Sequence, residues 1–275
     1  TSGLDAAKKR LKDMDEEEIS FQLQLIRGTQ RAQDMRNVNT DIVEGMETNS
    51  QISNIDLDEA DKCKKAANKV MNKINDLAII DKSGQIEWLG MDLGADAESF
   101  TFGPVGLSLY GGSSGIAILD RELREIEGKK AIDSELQERI IGSIDELCST
   151  ENHDMQLRWW RDQPLGICGC GGILLALKVL GRERLAEKML EAARQKFITA
   201  DTKLDLIGGS AGLIGSLLNI TSDNAKELAI WAGDHLLSKQ NSDGSWEDKE
   251  TNKTGLLGFS HGTAGYSASL AKLHQ

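Results

Sequence analysis

The sequence predicts an all-α fold, an α/α toroid built as a barrel of helical hairpins, with a small β insertion near residues 80–106. Three observations carry this. Two prolines beside 28 glycines in 275 residues suit helices punctuated by glycine turns. Apolar residues recur at helical spacing along most of the chain. Four segments also share one grammar: LYGGSSGIAIL from Leu109, ICGCGGILLAL from Ile167, IGGSAGLIGSLL from Ile207 and SHGTAGYSASL from Ser260.

In chain order, residues 57–78 place Cys63, Ala67, Val70, Ile74 and Leu77 on one helical stripe, with lysines and aspartates between them. GQIEWLGM (84–91) reads as strand, with a hairpin partner in SFTFGPV (99–105). Residues 134–148 are amphipathic through Leu136, Ile140, Ile144 and Leu147, and Ser134 and Gln137 stand at capping-box spacing. Leu185, Met189, Ala192 and Ala193 mark another helix, and Leu228, Ala232 and Leu236 a further one. The acidic runs at 13–18 and 246–250 read as solvated faces.

Each repeat pairs two glycines three apart: Gly112 and Gly115, Gly169 and Gly172, Gly209 and Gly212, Gly262 and Gly265. The first glycines follow one another at intervals of 57, 40 and 53 residues, with amphipathic helices between most of them. Glycine permits positive φ and close backbone approach, so these positions read as tight turns opening helices that pack around a centre. The helices after the glycines are apolar on nearly every face, as buried ones are, and those between suit an outer layer. Such an arrangement gathers the inner N-termini, with their free N–H groups and dipoles, at one end.

A net charge of −12 argues against nucleic acid or an anionic membrane as the main partner. No apolar run reaches the length of a membrane span, and no signal peptide opens the chain. Four scattered cysteines do not make a disulfide framework and fit a reducing, cytoplasmic setting. The opening TSGLDAAKK, without a methionine, suggests a piece of something longer.

The four turns in this order resemble the cyclase domain of class II lanthionine synthetases, the bifunctional lanthipeptide dehydratase/cyclases. GQIEWLG followed by VGLSLYGGSSGIAIL, then GICGCGGILLAL, DLIGGSAGLIGSLL and GFSHGTAGYSASLAKL, match in order, and LDAAKKRLKDMDEEEISFQLQLIRGT resembles the last helices of the preceding dehydratase domain. The resemblance implies domains at 1–50 (C-terminal dehydratase helices) and 51–275 (the N-terminal part of the toroid, left incomplete in this chain). It implies an enzyme that dehydrates Ser and Thr of a ribosomal precursor peptide, leader plus core. Cysteine thiols are then added to the dehydro residues, giving thioether rings. It also implies zinc in the complete enzyme, held by cysteine and histidine in W-C-x-G and C-H-G turns, and association with a peptide exporter. Neither motif occurs here, so the ligands are expected beyond Gln275 and the chain alone is expected to be inactive.

His261 matches the family's histidine beside the zinc, and an imidazole there can exchange the thiol or enolate proton. Asp205 matches the acidic residue near the same cavity, where it orients His261 or simply caps a helix. Cys168 and Cys170 supply two ligands where a closed zinc site takes four, and read as structural. Cys63 and Cys148 read as small core fillers. His235 reads as packed or at the surface; His153, in a polar loop, and His274 carry no assigned role. Two other classes fit parts of the pattern: a non-catalytic peptide-binding toroid, and a toroid glycosidase, which needs paired carboxylates that do not stand out here.

Overall fold

A computed structural model describes residues 2–36, 57–93, 100–130, 134–149, 153–248 and 253–275. It is mostly helical and divides into two compact units, residues 1–60 with 88–105, and residues 61–87 with 106–275. The boundary expected at 50/51 lies outside the described residues.

The first unit holds α1 (Gly3–Asp13) and α2 (Glu16–Arg36) with a hairpin of β3 (Leu89–Leu93) and β4 (Phe100–Pro104). The hairpin is antiparallel, with Leu89 opposite Pro104 and Leu93 opposite Phe100. Ser2 caps α1 in a reciprocal box with Asp5. Gly28 of α2 lies so close to the Phe102 ring that a Cβ there would stand 2.3 Å from it, which is how helix and hairpin approach. Leu11, Leu23 and Ile26 remain exposed.

The second unit begins with most of α3 (Leu57–Asp76) and the short hairpin of β1 (Ile79–Ile80) and β2 (Ile86–Glu87). On α3 the inward line is Ala67, Met71 and Ile74, with Met71 buried; Val70, Leu77 and Cys63 are exposed. The stripe expected from periodicity is thus turned by one residue, and Cys63 is not a core filler. Helical spacing leaves the face uncertain by about that much where Val70 and Met71 are both apolar.

Eight further helices and a short hairpin of β5 (Glu247–Asp248) and β6 (Lys253–Thr254) follow among the described residues, α4 (Ser113–Ile126), α5 (Glu135–Leu147), α6 (His153–Asp162), α7 (Cys170–Val179), α8 (Glu183–Leu190), α10 (Ser210–Leu217), α11 (Asp223–Ser238) and α12 (Thr263–His274), with a single turn, α9 (Gln195–Ile198), between α8 and α10. Ser134 caps α5 as expected, its hydroxyl accepting the Gln137 N–H. Only half of the capping box forms. The Gln137 side chain donates to Asp120 of α4 at 2.7 Å, and the Ser134 hydroxyl donates to the same carboxylate, so the cap ties α5 to α4.

The helices that follow the glycine turns are neighbours in chain order: α4 packs on α7, α7 on α10, and α10 on α12. α7 and α10, in the middle of this row, are buried on almost every face. α4 and α12, at its ends, bury fewer residues, so the all-round burial read from their sequences holds only for the middle pair. α5, α8 and α11 pack against these helices from the side, and α11 buries Leu228, Ala232 and Leu236. Two tryptophans tie elements outside this row together by their indole N–H groups, Trp160 of α6 to the Met189 carbonyl of α8 at 2.9 Å and Trp246 to that of Leu236 of α11 at 2.8 Å.

The glycines are needed for proximity and not for positive φ. The N-cap glycines have φ between −121° and −147°, which any residue adopts. A Cβ at Gly209, however, would stand 2.3 Å from the Leu204 nitrogen, and one at Gly212 would stand 2.1 Å from the Leu206 carbonyl oxygen. Each turn folds back over the first turn of its own helix, and an N–H at the helix start closes it. Ser113 donates to Gly106, Cys170 to Pro164, Ala211 to Leu204 and Thr263 to Leu256, all at 2.9–3.0 Å.

Close approach makes a sharp contrast within α10. Gly212→Ala is expected to destabilise the protein by about 1–3 kcal/mol through forced overlap with a backbone carbonyl. Gly215, with nothing within 4 Å of its Cβ direction, should gain about 0.5–1 kcal/mol when changed to alanine. Urea denaturation of the two variants measures both; equal midpoints would show that the turn can relax away from the helix.

Candidate functional site

The third and fourth glycine turns build one surface. Leu165, Ile167 and Cys168 of the second turn donate to Gly208, Leu206 and Ile207 of the third, and the Leu206 N–H donates to Ser260 of the fourth at 3.1 Å. These bonds hold the GFSHG segment against DLIGG. They bring together the two residues singled out by sequence: His261 Nδ1 lies 2.6 Å from Asp205 Oδ2. The aspartate side chain is 13% exposed and the histidine 60%, so the ring presents its free edge to solvent from a largely covered carboxylate.

Asp205 does not cap α10. The N-cap is Gly209, without a side-chain hydrogen bond. Asp205 Oδ1 instead accepts the Gly208 N–H at 2.7 Å, closing its own turn, while Oδ2 is left for His261. An ionised carboxylate only accepts, so Nδ1 carries the proton and Nε2 is the nitrogen left with a lone pair.

Two features that sequence reasoning missed aim this aspartate. Leu204 has φ of 61°, in the left-handed region that a buried branched residue seldom occupies. The Asp205 N–H reaches back to the Lys203 carbonyl at 2.7 Å around it, a three-residue γ-turn of the rare, strained hand. Asp201 holds the strain in place. Its Oδ2 accepts the Leu204 N–H at 3.2 Å, the Ser210 N–H at 2.7 Å and the Ser210 hydroxyl at 2.6 Å, and its Oδ1 accepts the Lys203 N–H at 3.0 Å. Asp201 is therefore the side chain that satisfies the start of α10. His235, buried on α11, meets the Asp201 carbonyl at 2.8 Å through Nε2 and braces the same loop. No spacing rule announces a cap nine residues ahead of its helix.

The other candidates stand apart from this pair. Cys170 is fully buried at the start of α7, and burial pushes its thiol well above the ordinary range. Cys148 is buried at the C-cap of α5, where burial raises its thiol to about 11. Cys168 is partly buried in the second turn. His153 is the exposed first residue of α6, and His274 the last of α12. Among the described residues no group of three or more His, Cys, Asp or Glu side chains could hold a metal ion. The residues present do not fit the zinc that the resemblance implies, since His261 and Asp205 offer only one mutually bonded pair.

The described residues thus form helical repeats opened by glycine turns, with an exposed histidine seated on an aspartate where two turns meet. A family model described as "Lanthionine synthetase C-like protein" matches residues 103–275, and the chain belongs to that family. No curated protein matches the chain. Among the described residues no helix is long and apolar enough to cross a membrane.

Two measurements probe the loop and the thiols. Asp201→Asn should cost about 1–3 kcal/mol in urea denaturation and shift the His261 imidazole nitrogen resonances, because donors on the strained loop lose their acceptor. Asp205→Asn should shift the resonances while costing less than about 1 kcal/mol, because the histidine end of the pair is solvent-exposed and screened. For Cys148 the folded thiol titrates above its ordinary 9.0, so its contribution is complete below that pH and is lost as pH rises towards 11. Stability should fall by about 2 kcal/mol over that window, and Cys148→Ala should flatten this part of the profile.

Proposed function

We propose that the chain is the cyclase-side part of a lanthipeptide-modifying enzyme of class II type, with its helical row forming part of an α/α toroid. Membership of the family supports a role in lanthionine synthesis, and the His261–Asp205 pair is the observation that carries the mechanism. In ring formation a cysteine sulfur bonds to the β-carbon of a dehydro residue, the double-bond electrons move to the α-carbon and its carbonyl, and that carbon takes up a proton. Nε2 of His261 receives the thiol proton as the S–C bond forms, or returns one to the α-carbon afterwards. Asp205 fixes the tautomer and stabilises the imidazolium between these steps.

The zinc of the family reading has no ligand set among the described residues, and the proton transfers above rest on His261 and Asp205. In this reading the substrate is a ribosomally made precursor peptide, its dehydration belongs to a preceding domain, and the setting is the cytoplasm. Helices α1 and α2 are proposed as the end of that dehydratase side. A chain assayed without the implied ligands is proposed to be silent. The rival reading, a peptide-binding module without chemistry, is favoured by the same missing ligand set and is separated by the same experiment.

In an enzyme form that carries the full ligand set, His261→Ala should slow ring formation by about 10² to 10⁴ while leaving dehydration intact. Mass spectrometry of the precursor counts water losses, and alkylation then traps uncyclised thiols. Asp205→Asn should do comparable damage if it orients the ring. Full cyclisation at the parent rate by His261→Ala would reduce the pair to a turn-bracing contact and sink the mechanism.

A further inference from the structure

The second unit carries a cleft of about 660 Å³ that does not include His261 or Asp205. One wall is α6, which turns Asp154, Leu157, Arg158 and Arg161 towards it at helical spacing; the other is the short α9 turn, with Arg194 at its N-cap and Lys196 and Phe197 within it. Four cationic groups thus face one carboxylate, in a chain whose net charge is −12.

Arg161 is engaged by the Asp162 carboxylate at 2.6 and 2.8 Å, and Arg158 lies near enough to that carboxylate to help hold its pKa below the ordinary value. Among the described residues Arg158, Arg194 and Lys196 meet no carboxylate in an ion pair. Two of the three are nevertheless held in place. Arg194 donates from one nitrogen to the carbonyls of Glu191 and Ala193 at 2.6 and 2.7 Å, leaving its remaining N–H groups free. The Lys196 ammonium sits 5.2 Å from the centre of the Phe197 ring. Below the charges, Leu157 and Phe197 form an apolar floor.

We propose that this cleft binds an acidic peptide segment, with carboxylates on Arg158, Arg194 and Lys196 and an apolar side chain on Leu157 and Phe197. The volume lies in the range that encloses a few residues or a small organic ligand. A lone inorganic anion would leave the apolar floor bare, and a long polyanion would meet the repulsion of the chain's overall charge. Guanidinium groups suit carboxylates because their fork matches both oxygens. Both walls continue in sequence towards the paired turns: Arg161 precedes the 164–169 turn, which is bonded to the third turn, by three residues, and Phe197 precedes Asp201 by four. The binding itself does not need the ring-forming chemistry.

Fluorescence anisotropy of the full chain tests the assignment, with a short labelled peptide alternating paired glutamates with leucine, and its glutamine counterpart as control. The glutamate peptide should bind saturably and weaken with added salt. Arg158→Gln with Lys196→Gln should weaken it roughly tenfold with an unchanged thermal melt, while Lys226→Gln with Lys239→Gln, an equal loss of charge outside the cleft, should change nothing. His261→Ala should bind as the parent does, so full ring formation by that variant with retained peptide binding faults only the ring-forming reading. Equal binding of the glutamine peptide, or an undiminished affinity in the double variant, would overturn the proposal. So would displacement of the peptide by millimolar inorganic phosphate, or binding to phosphatidylserine vesicles in place of the peptide.

Discussion

A backbone N–H at the start of a helix reaching a carbonyl six or seven residues earlier, over a glycine with no room for a side chain, is the contact on which the second unit is built. It occurs four times, at Ser113, Cys170, Ala211 and Thr263. Each occurrence satisfies a donor that a helix start otherwise leaves orphaned, and it does so without a capping side chain. Because the loop is folded flat over its own helix, its outer edge is free to pair with the next loop. The second, third and fourth turns use that edge, from Leu165 to Gly208 and from Leu206 to Ser260. Helix packing and loop pairing therefore depend on the same missing Cβ atoms.

The site inherits its position from that loop pairing. His261 belongs to the fourth turn and Asp205 to the third, and the Leu206–Ser260 bond beside them sets the distance. The aspartate is aimed by a left-handed Leu204 that costs energy by itself, and the carboxylate of Asp201 compensates by collecting four donors around it. One aspartate in this loop stabilises structure so that another, four residues on, can hold an exposed histidine. Strain next to an exposed, polar pair is where conformational cost is commonly tied to function.

Charge is distributed with the same economy. The acidic excess lies across the surface, whereas the cleft between α6 and residues 194–197 concentrates cations over two apolar side chains. Lys196 and Arg194 are oriented by neighbours that do not neutralise them, a ring face and two carbonyls. Such groups keep their attraction for an incoming carboxylate and have less side-chain freedom to lose on binding it.

Much was legible in the sequence. Paired glycines ahead of apolar runs determine where helices α4, α7, α10 and α12 begin, because a backbone packed that closely admits no side chain. Apolar periodicity determines α11 and its inward face, because hydrophobic burial repeats every 3.6 residues. The GFSHG and DLIGG motifs named His261 and Asp205. The tertiary structure alone decided that the glycines serve proximity rather than positive φ, and that α3 turns Met71 inward and leaves Cys63 exposed. It alone decided that Gln137 reaches across to Asp120, and that Asp201, not Asp205, satisfies the start of α10. These outcomes depend on which distant group arrives within hydrogen-bonding or contact distance. Local spacing carries no record of that, because 56 residues separate Asp205 from the histidine it holds.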